Sequence, residues 1–106
     1  VLIRHGEWSH AALATLNDCL ANSDENVRWL ATYSLAELAP QSEDAVGALT
    51  RTLRDPVSKV QIGAAYALGE IGPMAASATT ELERCLISPD PELKSAAEYA
   101  LTQIRP

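Results

Sequence analysis

VQIGAAYALGEIGP, residues 60–73, is written three times in this chain: VRWLATYSLAELAP fills 27–40 and LKSAAEYALTQIRP fills 93–106, each copy 33 residues after the last. Stepping by 33 brings identical residues together at Ala12/Ala45/Ala78, Leu16/Leu49/Leu82, Leu20/Leu53/Leu86, Ala31/Ala64/Ala97, Tyr33/Tyr66/Tyr99, Leu35/Leu68/Leu101 and Pro40/Pro73/Pro106. Coincidence would give fewer than about one such column in a period, so the chain is read as an internal repeat before anything else.

Within each 33-residue unit, apolar residues follow helical spacing twice: once through Ala12, Leu13, Leu16 and Leu20, and again through Val27, Ala31, Leu35 and Leu38. Each unit is therefore a helix A, a short turn and a helix B. The punctuation agrees. Asp90 is expected to cap a helix with Pro91 in its first turn, Asp55-Pro56 to do the same one unit earlier, and Asp24 to serve the first. Ala39-Pro40 and Gly72-Pro73 should stop the B helices, and a Gly69/Gly72 pair should fray the end of the middle one. Small residues at 31, 64 and 97 suit close approach of neighbouring helices.

The middle unit, LRDPVSKVQIGAAYALGEIGP at 53–73, closely resembles the HEAT repeat, above all its short bacterial and phycobilisome-lyase-like variety: a Leu, an Asp-Pro turn, a Val opening helix B, then Ala-Ala-x-Ala-Leu-Gly-x-Ile-Gly. The resemblance covers nearly the whole chain. It implies an all-α protein, a right-handed α-solenoid (superhelix) of stacked antiparallel helix pairs holding about three 33-residue HEAT-like repeats. The family's basic residue after Val is Arg28 in the first unit but Gln61 and Lys94 in the others, which breaks any continuous charged ladder.

On this alignment residues 1–106 form a single repeat domain. Residues 1–7 are the end of a preceding repeat's helix B, followed by repeats at 8–40, 41–73 and 74–106. The chain is expected to be a fragment of a longer array, with Val1, Leu2 and Ile3 on an uncapped apolar face through which the isolated piece self-associates. Lys94, Ser95, Glu98, Thr102 and Gln103 make the last B helix polar enough for a C-terminal cap.

Composition narrows the function. Eight Lys and Arg against fourteen Asp and Glu give a net charge of −6, with the bases scattered singly. Phosphate binding along a nucleic acid needs a clustered basic face, so no nucleic-acid partner is expected. Nor is a membrane, since no apolar run approaches the ~18 residues of a spanning helix. Cys19 and Cys85 occupy the same position two repeats apart. At roughly 8–10 Å per stacked helix they lie roughly 20 Å from each other, too far for a disulfide, which needs Cα atoms within about 7 Å. They should be reduced, each a small buried or half-buried apolar residue, in keeping with a cytoplasmic setting. His5 and His10 stand without a spaced Cys, Asp or second His on one helical face, so neither a metal site nor a nucleophile partner is expected. The acids Asp24, Glu25, Glu43, Asp44, Asp90 and Glu92 fall at helix starts, where they complement the helix dipole. No phosphate loop of the GxxxxGK type is present, and the Gly63, Gly69, Gly72 spacing reads as helical punctuation. No catalytic residue and no cofactor are expected.

What the core pattern does not require is the tyrosine column. Tyr66 lies to one side of the stripe Val60, Ala64, Leu68, Ile71, on a line with Ile62 and Glu70; the first repeat carries Trp29, Tyr33 and Glu37 on the same line, and Tyr99 follows in the third. Because B helices line the concave surface of HEAT-like arrays, the resemblance implies an aromatic and acidic strip facing a partner. HEAT arrays serve as scaffolds, adaptors, transport receptors, lyase subunits and DNA glycosylases. The expected function is a non-catalytic interaction module or scaffold for a protein or peptide, a basic one included given the acidic balance. The alternatives are a lyase-type subunit of the bilin-attaching kind, for which no His, Cys or acid stands out, and a purely architectural spacer. A glycosylase ranks last, since Arg51, Arg54 and Arg84 fall on A helices, the convex side.

Overall fold

Helices α2, Glu25–Leu38, α4, Ser58–Ile71, and α6, Pro91–Ile104, pack side by side in the computed structural model, with α4 against both of the others. Residues 13–38 and 42–105 are described; the expectations placed on 1–7, His5, His10, Ala39-Pro40 and Pro106 lie outside them. On the other side run α1, residues 13–19, α3, Glu43–Thr52, and α5, Thr79–Cys85, the last preceded by a 3-10 stretch at Gly72–Ala78. No strand occurs among the described residues, and the expected helix pairs form a two-layered α-solenoid.

The stripes anticipated from spacing are the core. Val60, Ala64 and Leu68 are fully buried, as are Leu35, Leu49, Leu53 and Leu82; Ile71 joins Ala64, Leu68 and the four leucines in one cluster, on which Leu13 and Leu16 of α1 and Leu20 just beyond it pack. Burying one such Leu or Val side chain stabilises by about 1.5–3 kcal/mol.

The turns into the B helices follow a register the sequence reading missed. Asn22, Asp55 and Ser88, 33 residues apart, each accept the backbone N–H two residues on, from Asp24 (2.8 Å), Val57 (2.9 Å) and Asp90 (3.1 Å). The caps proper sit at those acceptors' partners: Asp24 accepts from Asn26 N–H and Asp90 from Glu92 N–H, with Pro91 in the first turn. In the middle unit the cap is Val57, which has no side-chain acceptor. Asp55 is therefore two residues too early to cap α4, and the expected Asp55-Pro56 cap is corrected to a turn. Ser42 caps α3 through Ala45 N–H (3.1 Å), with Glu43 and Asp44 in the first turn.

Two glycines depart from their expected role. Gly69 does not end α4, which runs on to Ile71; it is buried within the last helical turn. A Cβ there would stand 2.7 Å from Tyr99 Cε2 and 3.0 Å from Ala100 Cα, and one at Gly63 would stand 2.7 Å from Thr32 Oγ1 and 2.9 Å from Trp29 Cδ1. Gly63 faces α2 and Gly69 faces α6, so both are close-packing positions instead of punctuation. Each costs about 0.5–1 kcal/mol against Ala in helix propensity, offset by the contact it permits. Gly72 does end the helix, at φ +79, its N–H donating to Leu68 C=O. Pro73 then lacks an N–H and Ala75 leaves helical geometry, so α5 starts at Thr79, three residues later in the repeat than α3 does at Glu43.

Leu68→Ala should lower unfolding free energy by roughly 2–5 kcal/mol in urea titration. Gly69→Ala should be destabilising by about 1–3 kcal/mol through overpacking. Gly47→Ala, whose Cβ meets only Arg51 at 3.7 Å, should instead stabilise by about 0.5–1 kcal/mol; a gain at position 69 would show that its contact with α6 is not limiting.

Candidate functional site

Trp29, Tyr33 and Glu37 recur every four residues along α2, as do Ile62, Tyr66 and Glu70 along α4, so each triplet shares one helical face. The core stripes take the neighbouring faces, leaving these two lines turned toward each other beside the buried seam. All six line one groove of about 630 Å³, with Thr32, Ala36, Gly63 and Ala67. The volume lies within the roughly 300–1,000 Å³ of small-ligand and side-chain pockets. Small side chains are what make the depression: bulkier residues at 36, 63 and 67 would fill it.

Tyr99, the seventh residue of the strip, is not in the lining. Its ring packs on Tyr66 with centroids 5.4 Å apart and planes tilted by 48°, and its hydroxyl donates to Glu70 Oε1 at 2.7 Å. The aromatic column is thus a contact between α4 and α6 at one end and an open surface at the other. Trp29, Tyr33 and Tyr66 remain 37%, 62% and 45% exposed.

The groove carries two carboxylates and no basic residue in its lining. The nearest cation the sequence reading overlooked is Lys59, whose ammonium lies 5.0 Å from the Trp29 ring centroid and donates to Asn26 Oδ1 at 2.5 Å. Lys59 and Asn26 are 33 residues apart, so the repeat itself could have flagged the pair, though nothing in their types marks it. The hydrogen bond to Glu70 raises the Tyr99 phenol above its ordinary value of 10.0, with burial and the Glu70 charge adding to it.

The other polar ties join units. Arg28, at the start of α2, grips Asp55 with two hydrogen bonds, Nε to Oδ2 at 2.9 Å and a second nitrogen to Oδ1 at 3.2 Å; the side chains are only 13% and 8% exposed. Arg28 also donates to the carbonyls of Asn22 and Ser23. Arg54 reaches Glu81 at 2.7 Å, and its hydrogen bond, assisted by Arg84, holds the Glu81 carboxyl below its usual value. These pairs bracket a smaller hollow of about 310 Å³ on the other layer, lined by Asn17, Leu20, Ala48, Arg51 and Thr52 among others. Both cysteines are free; Cys19 is half-buried, and burial pushes the Cys85 thiol up, away from the reactive thiolate. Among the described residues no three His, Cys, Asp or Glu side chains gather as a metal set, and no helix is long and apolar enough to cross a membrane.

The raised phenol has a sign. A group that stays protonated more firmly in the folded state contributes its full stability below its unfolded value and loses it as pH rises through the folded one. The Tyr99–Glu70 contribution is therefore intact below pH 10 and lost at higher pH. Glu70→Gln should lower the titration midpoint of the Tyr99 ring resonances toward the ordinary phenol value; an unmoved midpoint would remove Glu70 as the cause.

A sequence profile of the family described as HEAT repeats matches residues 13–102, spanning α1 to α6 and with them the whole groove. No curated protein matches the chain.

Proposed function

Since the chain belongs to the HEAT repeat family, whose arrays are generally protein-interaction scaffolds, we propose that it is a non-catalytic interaction module that takes a protein or peptide partner across the α2–α4 groove. In this reading its repeats at 8–40, 41–73 and 74–106 wind as a right-handed superhelix and the groove lies on its concave side.

One observation carries the proposal: three of the exposed large apolar residues, Trp29, Tyr33 and Tyr66, converge on a single depression floored by small residues. Isolated exposed apolar side chains are ordinary, whereas a contiguous patch rimmed by polar groups marks interaction surfaces. Trp and Tyr dominate interface hot spots because each offers a large rigid contact area with a polar tip. Glu37 and Glu70 at the rim add a negative field that favours a basic partner.

The test is to select peptides against the folded segment by display and measure the best binder against wild type and a Tyr33→Ala/Tyr66→Ala double variant of matching circular dichroism. The expected loss is tenfold or more in affinity, about 1.4 kcal/mol. Selected peptides that bind the double variant equally well, or a failure to select any, would leave the segment as a spacer whose tyrosines only pack.

A further inference from the structure

The repeat supplies its own comparison. Tyr99 and Glu70, bonded at 2.7 Å across α6 and α4, correspond 33 residues earlier to Tyr66 and Glu37 across α4 and α2. That earlier pair is open: among the described residues neither Glu37 nor the Tyr66 hydroxyl has a hydrogen-bond partner, and both line the groove. The two sites differ by one methyl group beneath the ring position. Tyr99 lies over Gly69, where a Cβ would approach its ring to 2.7 Å. The residue matching Gly69 is Ala36, which carries the Cβ that Gly69 lacks; Tyr66 is 45% exposed, while Tyr99 is half-buried.

We propose that this open pair is the docking point for an arginine side chain of an extended basic segment in a protein partner. The proposal rests on reading the groove as an interaction surface and names the chemistry of what enters it. Glu37 is an unpaired acceptor beside two phenol rings, Tyr33 and Tyr66. A guanidinium suits that combination: its planar face stacks on an aromatic ring while its fork donates two parallel hydrogen bonds to a carboxylate. Lining residues carry no positive charge to compete, and the net charge of −6 favours a basic segment. The rim already holds one cation, since Lys59 lies on the Trp29 ring. The neighbouring pair needs no guest because Tyr99 itself satisfies Glu70.

The experiment follows the ring resonances of Tyr33, Tyr66 and Trp29 by NMR during titration with three acetylated, amidated peptides, (Arg-Ala-Ala)₃ and its citrulline and lysine twins. Citrulline keeps the shape of arginine without its charge. Expected are saturable shifts with the arginine peptide and affinity at least tenfold weaker with citrulline. Glu37→Gln should bring the arginine peptide down to the citrulline level. Glu92→Gln, which removes the same charge outside the groove, should leave it unchanged. Ala36→Gly removes no charge; it should let Tyr66 settle on α2 and reach Glu37, and lose tenfold as well, with circular dichroism confirming the fold. Arginine and citrulline peptides within twofold of each other, a tighter lysine twin, or full binding by Glu37→Gln would each overturn the assignment. Should uncharged peptides selected against the groove bind where the arginine peptide does not, the interaction surface stands and the arginine site falls; if neither binds, both fall.

Discussion

The close approach of α4 to the helices on either side of it governs the remaining structure. Two glycines one helical face apart make it possible, Gly63 against Thr32 and Trp29 of α2 and Gly69 against Tyr99 and Ala100 of α6. In a solenoid each unit touches only its neighbours, so the spacing of adjacent B helices sets both the stability of the stack and the shape of its surface. Where the backbones come together at a missing side chain, larger residues on the flanking helices are brought across the gap. Tyr99 reaches Glu70 for this reason, and Trp29 meets α4 at its first turns with Lys59 on its face. The core leucines and alanines supply the free energy of packing, and the glycines let the backbones come this close.

The repeat is consequently regular in its interior and irregular on its surface. Columns such as Leu35/Leu68/Leu101 and Ala31/Ala64/Ala97 are buried wherever they occur, because an apolar side chain between two layers has no alternative in any unit. At the surface one position decides more than its size suggests. Ala36 and Gly69 differ by a methyl group; Ala36 lines an open groove, whereas Gly69 lies under the ring of Tyr99, whose hydroxyl is bonded to Glu70. A short array of near-identical units can in this way carry a single distinguished site without a residue type that stands out in the sequence.

This explains what was readable beforehand. Burial patterns are set by periodicity, so the stripes through Val60, Ala64, Leu68 and Ile71 and the lateral line of Trp29, Tyr33, Glu37, Ile62, Tyr66 and Glu70 could be drawn from spacing alone, and the last six do share a groove. Tyr99 belongs to the same column but not to the lining, since its environment depends on the residue opposite it, a relation between helices that spacing within one helix does not contain. Glycine was misread for a similar reason. Its low propensity suggests a break, whereas Gly63 and Gly69 sit where neighbouring helices press in from outside. The Asp55-Pro56 pair looked like Asp90-Pro91, but the 33-residue step places Asp55 over Ser88 and Val57 over Asp90. Strict use of the repeat would have corrected that, where a motif matched by type did not.

The displaced aspartate also shows how such a chain offsets a weak unit. With Val57 as its cap, α4 begins without a side-chain acceptor, although it is the helix on which both neighbours depend. Asp55 accepts the Val57 N–H and, with its two oxygens, the guanidinium of Arg28. A bidentate pair this little exposed is better ordered than a typical surface ion pair, since neither side chain is free to solvate elsewhere. It joins the start of α2 to the turn that launches α4, close to the end where Trp29 and Lys59 meet. The unit that lacks a side-chain cap at Val57 thus carries, two residues earlier at Asp55, a tie between units. Arg28 and Asp55 tie α2 to the turn before α4, and Gly63 lets the two helices meet in the groove, which leaves Ala36, Glu37 and Tyr66 as the part of its lining free to receive something else.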